Sequence, residues 1–391
     1  MGIFEKIFTK KEDLKVAKSY FQALSAYQPV FTSWNGKMYE SELVRAAIDA
    51  RSRHISKLNI TAMGPLTKEL ERCFKVKPNS FMTWSQFLYR LNTVLDMQNT
   101  AFILPIVDSF NRTVGLYPAL PSRTEVVEDE EGHTWLKYTF SNGRTGAIEY
   151  ERCGVMTKFQ YSDDFFGEDN SALTDTMDLM NIQSQAIKHA VKNSATYRFM
   201  ARITNFSKPE DLKKEREKFS EKNLEADSKG GLLLFPNTYS DIQQLKNNPY
   251  TVDPEQSKKI DNNVFNYYGV NTDIIQNKAI GDQINAFYEG AIAPFAIQFS
   301  EVVTQMVFSE RQIIDGASIK AQSNRMLYLS AKDRLSVSKE LSAIGAMSRN
   351  EVRAVWDLKP IEGGDVYTIR GEYYFFDKDG NIITKETEKD E

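Results

Sequence analysis

Residues 267–310 constrain the chain most. They read YYGVNTDIIQNKAIGDQINAFYEGAIAPFAIQFSEVVTQMVFSE. In the second half Ile284, Phe287, Tyr288, Ala291, Ile292, Phe295, Phe299, Val302, Val303 and Met306 recur at helical spacing. That is about seven turns of helix, longer than a globular protein usually builds. Pro294 sits near its middle, where it cannot donate to the carbonyl of Gly290 and its ring pushes that carbonyl away. A glycine there makes bending easier, so the pattern predicts one kinked helix with the bend at Gly290 and Pro294. The preceding loop, residues 271–281, is polar and offers Asn271, Gln276, Asn277 and Lys278 without an aromatic anchor. On these residues alone a long bent helix that presents such a loop reads either as scaffold for contact with something or as an interior helix preceded by an ordinary loop.

The rest of the chain fits a multidomain protein that works by shape. Its 391 residues allow two or three domains. The apolar and charged fractions, 41% and 26%, are those of a folded soluble protein. A net charge of −4 argues against a wide phosphate-gripping surface, so any contact with DNA is expected to be local and weak. Cys73 and Cys153 lie far apart with no CxxC, which suggests a reducing compartment and no disulfide framework. The opening MGIFEKIFTKKEDLK has a short apolar patch followed by charges and lacks a signal-peptide core; it reads as a loose or helical arm. No run approaches 18 apolar residues, so no membrane span is expected.

Along the chain, residues 16–27 read as weakly helical. Residues 41–58 (SELVRAAIDARSRHISKL) form a helix with Leu43, Ala46, Ala47, Ala50, His54, Ile55 and Leu58 on one face. Residues 84–95 form another. Residues 101–107, 124–128, 134–140 and 145–150 alternate with period two and predict one small antiparallel sheet, with turns at Gly132 and Asn142-Gly143. A long helix at 172–197 is too polar for a core and suits sideways packing against copies or a partner. An α/β insert follows: strand 199–204, a charged helix 208–224, strands 232–236 and 240–245. A helix capped by Asp253 and Pro254 then returns. Beyond the bent helix come a strand pair at 312–322, a helix from 324 to 341, a short helix boxed by Ser348 and Glu351, and a hairpin pairing 372–376 with 381–384.

Catalytic signatures are missing. His54, His133 and His189 have no metal-ligand spacing, and His54 reads as a packing residue. Asp163-Asp164 reads as a solvated turn. The run from Asp377 to Asn381, with Glu388, misplaces the glycine of a calcium loop. No P-loop, dinucleotide fingerprint or GxSxG occurs, and no cofactor is expected.

Several motifs in a fixed order carry a family likeness: VRAAIDARSRHISKL, the segment 167–173 that opens a long helix, NVFNYYGVNTDII, AFYEGAIAPF and IGAMSRNEVRAVWDLKPIEGGD. Over residues 35–376 the chain resembles the portal proteins of tailed bacteriophages, in the form found in siphoviruses. The resemblance implies an α+β portal-type fold. It divides the chain into an arm (1–34), a wing (35–171), a first stem helix (172–197), a clip (198–252), a second stem helix (253–268), a tunnel loop (269–283), a long kinked wing helix with strands (284–323) and a crown or C-terminal region (324–391). It implies a homo-oligomeric ring of about twelve subunits at one capsid vertex of the virion, assembled in the host bacterial cytoplasm and without enzymatic activity. Double-stranded DNA would pass through the channel. The implied partners are the terminase large subunit, the major capsid and scaffolding proteins and a head–tail adaptor, with no membrane. Asn271, Gln276, Asn277, Lys278, Asp282 and Gln283 would face the DNA. Lys208, Lys213, Lys214, Arg216 and Lys218 of the clip would form a partner surface.

Two other readings stand beside it. One is a different virion structural protein, such as a head–tail adaptor or minor capsid protein. The other is a metal-dependent nucleic-acid-processing enzyme, for which Asp163 and Asp164 would be the ligands.

Overall fold

The computed structural model describes residues 22–27, 39, 41–194, 198–203, 210, 212–214, 217, 239–245, 253–323, 329, 331–369, 375–376 and 382–383. The chain divides into two compact units, Leu173–Asn263 and the remainder, Met1–Ala172 with Val264–Glu391.

In the larger unit, strand β1 (Gln22–Tyr27) precedes helix α1 (Glu42–Ile55), strand β2 (Asn59–Met63) and helices α2 (Lys68–Lys75) and α3 (Trp84–Gln98). Helix α3 starts where the sequence says it should. Thr83 accepts from the Gln86 backbone while the Gln86 side chain accepts from the Thr83 N–H, a reciprocal cap. It stops at Asn99, whose φ of 53° turns the chain left-handed. Five strands follow: β3 (Thr100–Val107), β4 (Thr113–Ala119), β5 (Arg123–Glu128), β6 (Thr134–Thr139) and β7 (Thr145–Glu149). A 3₁₀ turn (Tyr150–Arg152) then leads into β8 (Gly154–Thr157).

The single small sheet expected for residues 100–160 is two antiparallel sheets, ordered β1-β5-β6-β7 and β4-β3-β8. Their buried faces share one cluster that includes Phe102, Leu104, Tyr117, Val126, Leu136 and Tyr138. The sequence reading passed over β4 because Gly115 and Pro118 interrupt its apolar pattern. Both are tolerated on an edge strand, where one side needs no ladder. Residues 22–27 are strand and not helix: β1 pairs with β5, and ladder pairing overrides their modest helical pattern.

The smaller unit contains helix α4 (Thr174–Ser194) and strands β9 (Arg198–Ile203) and β10 (Tyr239–Leu245), which pair antiparallel. Helix α5 (Pro254–Tyr267) begins in it and ends in the larger unit. Its start is fixed by Asp253, which accepts from the Glu255 N–H at 3.0 Å. The described residues among 208–224 are helical. The strand expected at 232–236 lies outside the described residues, as do the arm at 1–15 and the calcium-like run at 377–381.

The chain continues through α6 (Thr272–Ile275), α7 (Asp282–Phe287), a π turn (Tyr288–Ile292), α8 (Ala293–Val307), α9 (Glu310–Ile314) and β11 (Ser318–Gln322). The strand pair expected at 312–322 is therefore half helix. A Ser309–Gln312 capping box starts α9, Gly316 turns the chain at φ 97°, and β11 pairs with the distant β2. Helix α10 (Ala331–Ala343), strand β12 (Ile344–Ser348), helix α11 (Arg349–Val355) with its Ser348–Glu351 box, and strands β13 (Tyr367–Ile369), β14 (Phe375–Phe376) and β15 (Ile382–Ile383) complete it. The last two form the expected hairpin ladder.

The helical core of the larger unit gathers α1, α3 and α8. Val44, Ala47, Ile48 and Ile55 are fully buried, as are Phe87, Leu88, Leu91, Phe299 and Val303. Trp84 lies among Phe74, Phe87 and Phe299, with ring centroids 5.2–6.4 Å away, and its indole N–H donates to the Cys73 carbonyl at 3.0 Å. Each such aromatic contributes about 2–3 kcal/mol through burial. Relative to the expected face of α1, the buried stripe is rotated: Val44, Ile48 and Arg51 are inside, whereas Leu43 and Ala46 are half-exposed. Cys73 and Cys153 are free thiols.

Candidate functional site

The loop between α5 and α7 is short, exposed and internally tied. Gly269 (φ 68°) closes α5. Asn271 then caps α6, its side chain accepting from the Ile274 N–H at 2.9 Å. Ile274 is buried and anchors this single turn of helix from below. At its end Asn277 adopts φ 58°, and the Lys278 N–H returns to the Asp273 carbonyl at 2.8 Å. Gly281 (φ 57°) releases the chain into α7.

Each sequence-predicted loop residue is thereby placed. Asn271, Gln276, Asn277, Lys278, Asp282 and Gln283 are all exposed. Lys278 donates to Gln276 Oε1 at 2.7 Å, and Gln283 donates to Asp273 Oδ2 at 3.2 Å. Arg53 of α1 reaches Asn277 Oδ1 at 3.4 Å and pairs with Asp49 at 2.8 Å. The loop therefore presents amides, one ammonium group and the Asp282 carboxylate, with Ile280 the large apolar side chain at its tip, 79% exposed.

The bend lies where expected and has a specific form. Instead of an abrupt break, the helix widens into one π turn over Tyr288–Ile292, in which the Ala293 N–H bonds the Tyr288 carbonyl. Pro294, at the start of α8, supplies no donor, and the wider turn takes up the misfit. Gly290 and Pro294 are both exposed.

Beneath the bend lies a buried charge cluster that the sequence reading missed. Arg51 of α1 donates through Nε to the Ala291 carbonyl, in the π turn, at 3.3 Å. Its Nη1 pairs with Asp96 of α3, which is fully buried. Lys158 reaches the same Asp96 oxygen at 3.1 Å, and Asn92 donates to the other at 2.9 Å. Two cations thus share one carboxylate. The excess positive charge is met by ring faces, since the Lys158 ammonium lies 4.9 Å from the Phe159 centroid and 5.4 Å from that of Tyr268. Burial pulls the Lys158 pKa below its ordinary value, with Asp96 opposing. The available signal was a charged residue inside an apolar stripe: Arg51 between Ala47 and Ile55, Asp96 beside Leu95.

His54 joins the same frame. Its ring packs edge-on to Phe287 and Tyr288, and its Nδ1 is hydrogen-bonded to the Tyr288 hydroxyl at 2.9 Å. Burial, then Lys57 and Arg53, lower its pKa to about 4, so it is neutral at physiological pH. It is a packing residue, as its place in the sequence suggested.

Gly167 closes the far side of the cluster. A Cβ there would stand 2.2 Å from the Lys158 carbonyl and 2.3 Å from that of Asn99, so no larger residue fits. Asp163 makes an ordinary turn by accepting from the N–H groups of Phe165 and Phe166 at 2.7 and 3.0 Å. Among the described residues no group of three His, Cys, Asp or Glu could hold a metal ion, and no helix is long and apolar enough to cross a membrane. Of the clip residues, Lys213 and Lys214 are exposed, while Lys208, Arg216 and Lys218 lie outside the described residues.

Comparison with known proteins places this geometry. The sequence profile of the family described as phage portal protein matches residues 42–357. No curated protein sequence matches the chain. Among solved structures, a chain from the neck of a native gene transfer agent particle, computed with C12 symmetry, is 15% identical with a TM-score of 0.59. The match covers 89% of this chain and 99% of that one. A chain from the virion of the native gene transfer agent particle is 16% identical with a TM-score of 0.56, covering 86% and 97%. An HK97-family phage portal protein from Corynebacterium diphtheriae is 12% identical with a TM-score of 0.50, covering 76% and 96%. At these identities the likeness is one of fold.

Proposed function

The chain belongs to the phage portal protein family, and from that premise we propose that it assembles into a ring of about twelve subunits at one capsid vertex, through which double-stranded DNA is packaged and ejected. The observation that carries the reading is the polar loop at 271–283 mounted on a bend that buried charge holds in place. A loop that touches a moving polymer needs a firm base and a weakly binding tip. The base here is Arg51, Asp96 and Lys158; the tip offers amides, one lysine, the carboxylate of Asp282 and the exposed Ile280.

In this reading residues 35–171 and 284–323 form the wing, 172–197 and 253–268 the stem, 198–252 the clip, 269–283 the tunnel loop and 324–391 the crown region. Asn271, Gln276, Asn277, Lys278, Asp282 and Gln283 brush the DNA backbone once per subunit. Each neutralised phosphate adds affinity and would slow sliding, so one lysine per loop on a chain of net charge −4 suits weak, repeated contact. The clip meets the terminase large subunit during packaging and a head–tail adaptor afterwards, with Lys208, Lys213, Lys214, Arg216 and Lys218 of its charged helix as the candidate partner surface. The ring is built in the host bacterial cytoplasm with scaffolding and major capsid protein and acts by shape, without catalysis or cofactor.

A packaging assay tests the loop's role. Lys278→Glu is expected to lower the DNA packaged or retained per particle several-fold while leaving the ring intact. Deleting residues 277–281 should do so more severely. Normal packaging with the deletion would contradict the proposal.

A further inference from the structure

Away from the loop, the carboxyl-terminal end of α8 borders an open groove of about 660 Å³. Tyr150, Val302, Met306 and Ile313, all half-buried, give it an apolar floor. Glu151 and Glu310 are exposed on its rim, and among the described residues no lysine or arginine lines it. The last turn of α8 carries no basic residue, so the partial negative charge of its end is added to the two carboxylates. The groove therefore suits a segment that is apolar on one side and cationic on the other.

The chain supplies such a segment. Residues 1–11, MGIFEKIFTKK, carry Ile3, Phe4, Ile7 and Phe8 together with Lys6, Lys10 and Lys11 against one Glu5. Sheet register brings it to the right place. Gln22 of β1 lies opposite Glu128, Glu128 opposite Thr134, and Trp135 opposite Glu149. Residue 22 thus enters the sheet at the same end from which the chain leaves β7 for Tyr150 and Glu151. The distance across is three strand spacings, about 14 Å, whereas the chain from residue 8 to residue 22 can span about 45 Å.

We infer that this groove seats the chain's own amino-terminal segment, residues 1–11, with its isoleucines and phenylalanines on the Val302–Met306–Ile313 floor and its lysines toward Glu151 and Glu310. Phenylalanine against the Met306 thioether is a favourable pairing. The docked segment would cover the half-exposed apolar end of α8 and pin β1 to its sheet. The inference does not depend on the DNA-channel reading.

Cysteine pairing in the full chain tests it. The native thiols will stay silent, because both are buried and burial pushes Cys73 up to about 12 and raises Cys153 as well. The double variant Phe8→Cys, Ile313→Cys should form an intramolecular disulfide at least ten-fold faster than the control pair Phe8→Cys, Ile280→Cys. In that control the second thiol sits at the exposed loop before α7, at the other end of the bent helix. Adding Glu310→Lys should slow the pairing, and adding Lys10→Glu to that variant should restore it. Equal rates for the two pairs, disulfides formed only between chains, or indifference to both charge changes would overturn the inference.

Discussion

The loop-bearing bend and the inserted unit solve the problem of stability differently. Around the bend the chain satisfies itself: Phe295 and Phe299 are buried, Arg51 and Lys158 converge on Asp96, and His54 is hydrogen-bonded to Tyr288. In the inserted unit, α4 leaves Ile182 and Val191 each 64% exposed, with Leu179 and Ile187 nearly half so. A long helix keeps such side chains only if something else covers them. One region is finished within the subunit; the other has the surface of an interface.

The largest effect should come from breaking the finished region. Asp96→Ala leaves the buried Arg51 and the half-buried Lys158 without their carboxylate and should destabilise the fold by about 3–5 kcal/mol, read as a lower denaturation midpoint. A loss under about 1 kcal/mol would show that the cluster is not what holds the bend.

A smaller effect concerns pH. The His54 pKa falls from 6.5 in the unfolded chain to about 4 in the folded one, so the folded state binds fewer protons between those values. Its contribution to stability is complete above pH 6.5 and is lost as the pH falls toward 4. His54→Gln should flatten that part of the stability profile, and an unchanged slope would place the titration elsewhere.

The smallest effect on the monomer is expected from α4. Ile182→Lys with Val191→Lys should change the stability of the single chain by less than about 0.5 kcal/mol each while abolishing higher assembly in a sizing experiment. A large loss of monomer stability would mean that these side chains already serve the subunit's own core.

What the sequence showed, and what it hid, follows the range of the interactions. The bend at Gly290 and Pro294, the Asn142-Gly143 hairpin, the Asp253 cap and the Ser348–Glu351 box are set by residues within a few positions of each other, and all were legible. The pairing of β2 with β11 joins segments more than 250 residues apart, so nothing local announces it. Strand β4 was masked by Gly115 and Pro118, which an edge position excuses. The loop residues could be named from their polarity, but the cluster beneath them could not. Arg51 and Asp96 each sit inside an apolar stripe, but nothing local says that they meet until α1 and α3 are packed face to face.

The most direct test is electron microscopy of the purified protein together with its mass in solution. The account predicts closed rings of about twelve subunits with a central opening of roughly 20 Å or more, wide enough for duplex DNA. The 271–283 loops should line its narrowest part. Rings whose openings exclude duplex DNA, or a chain that stays monomeric and cuts DNA in the presence of divalent metal, would contradict it.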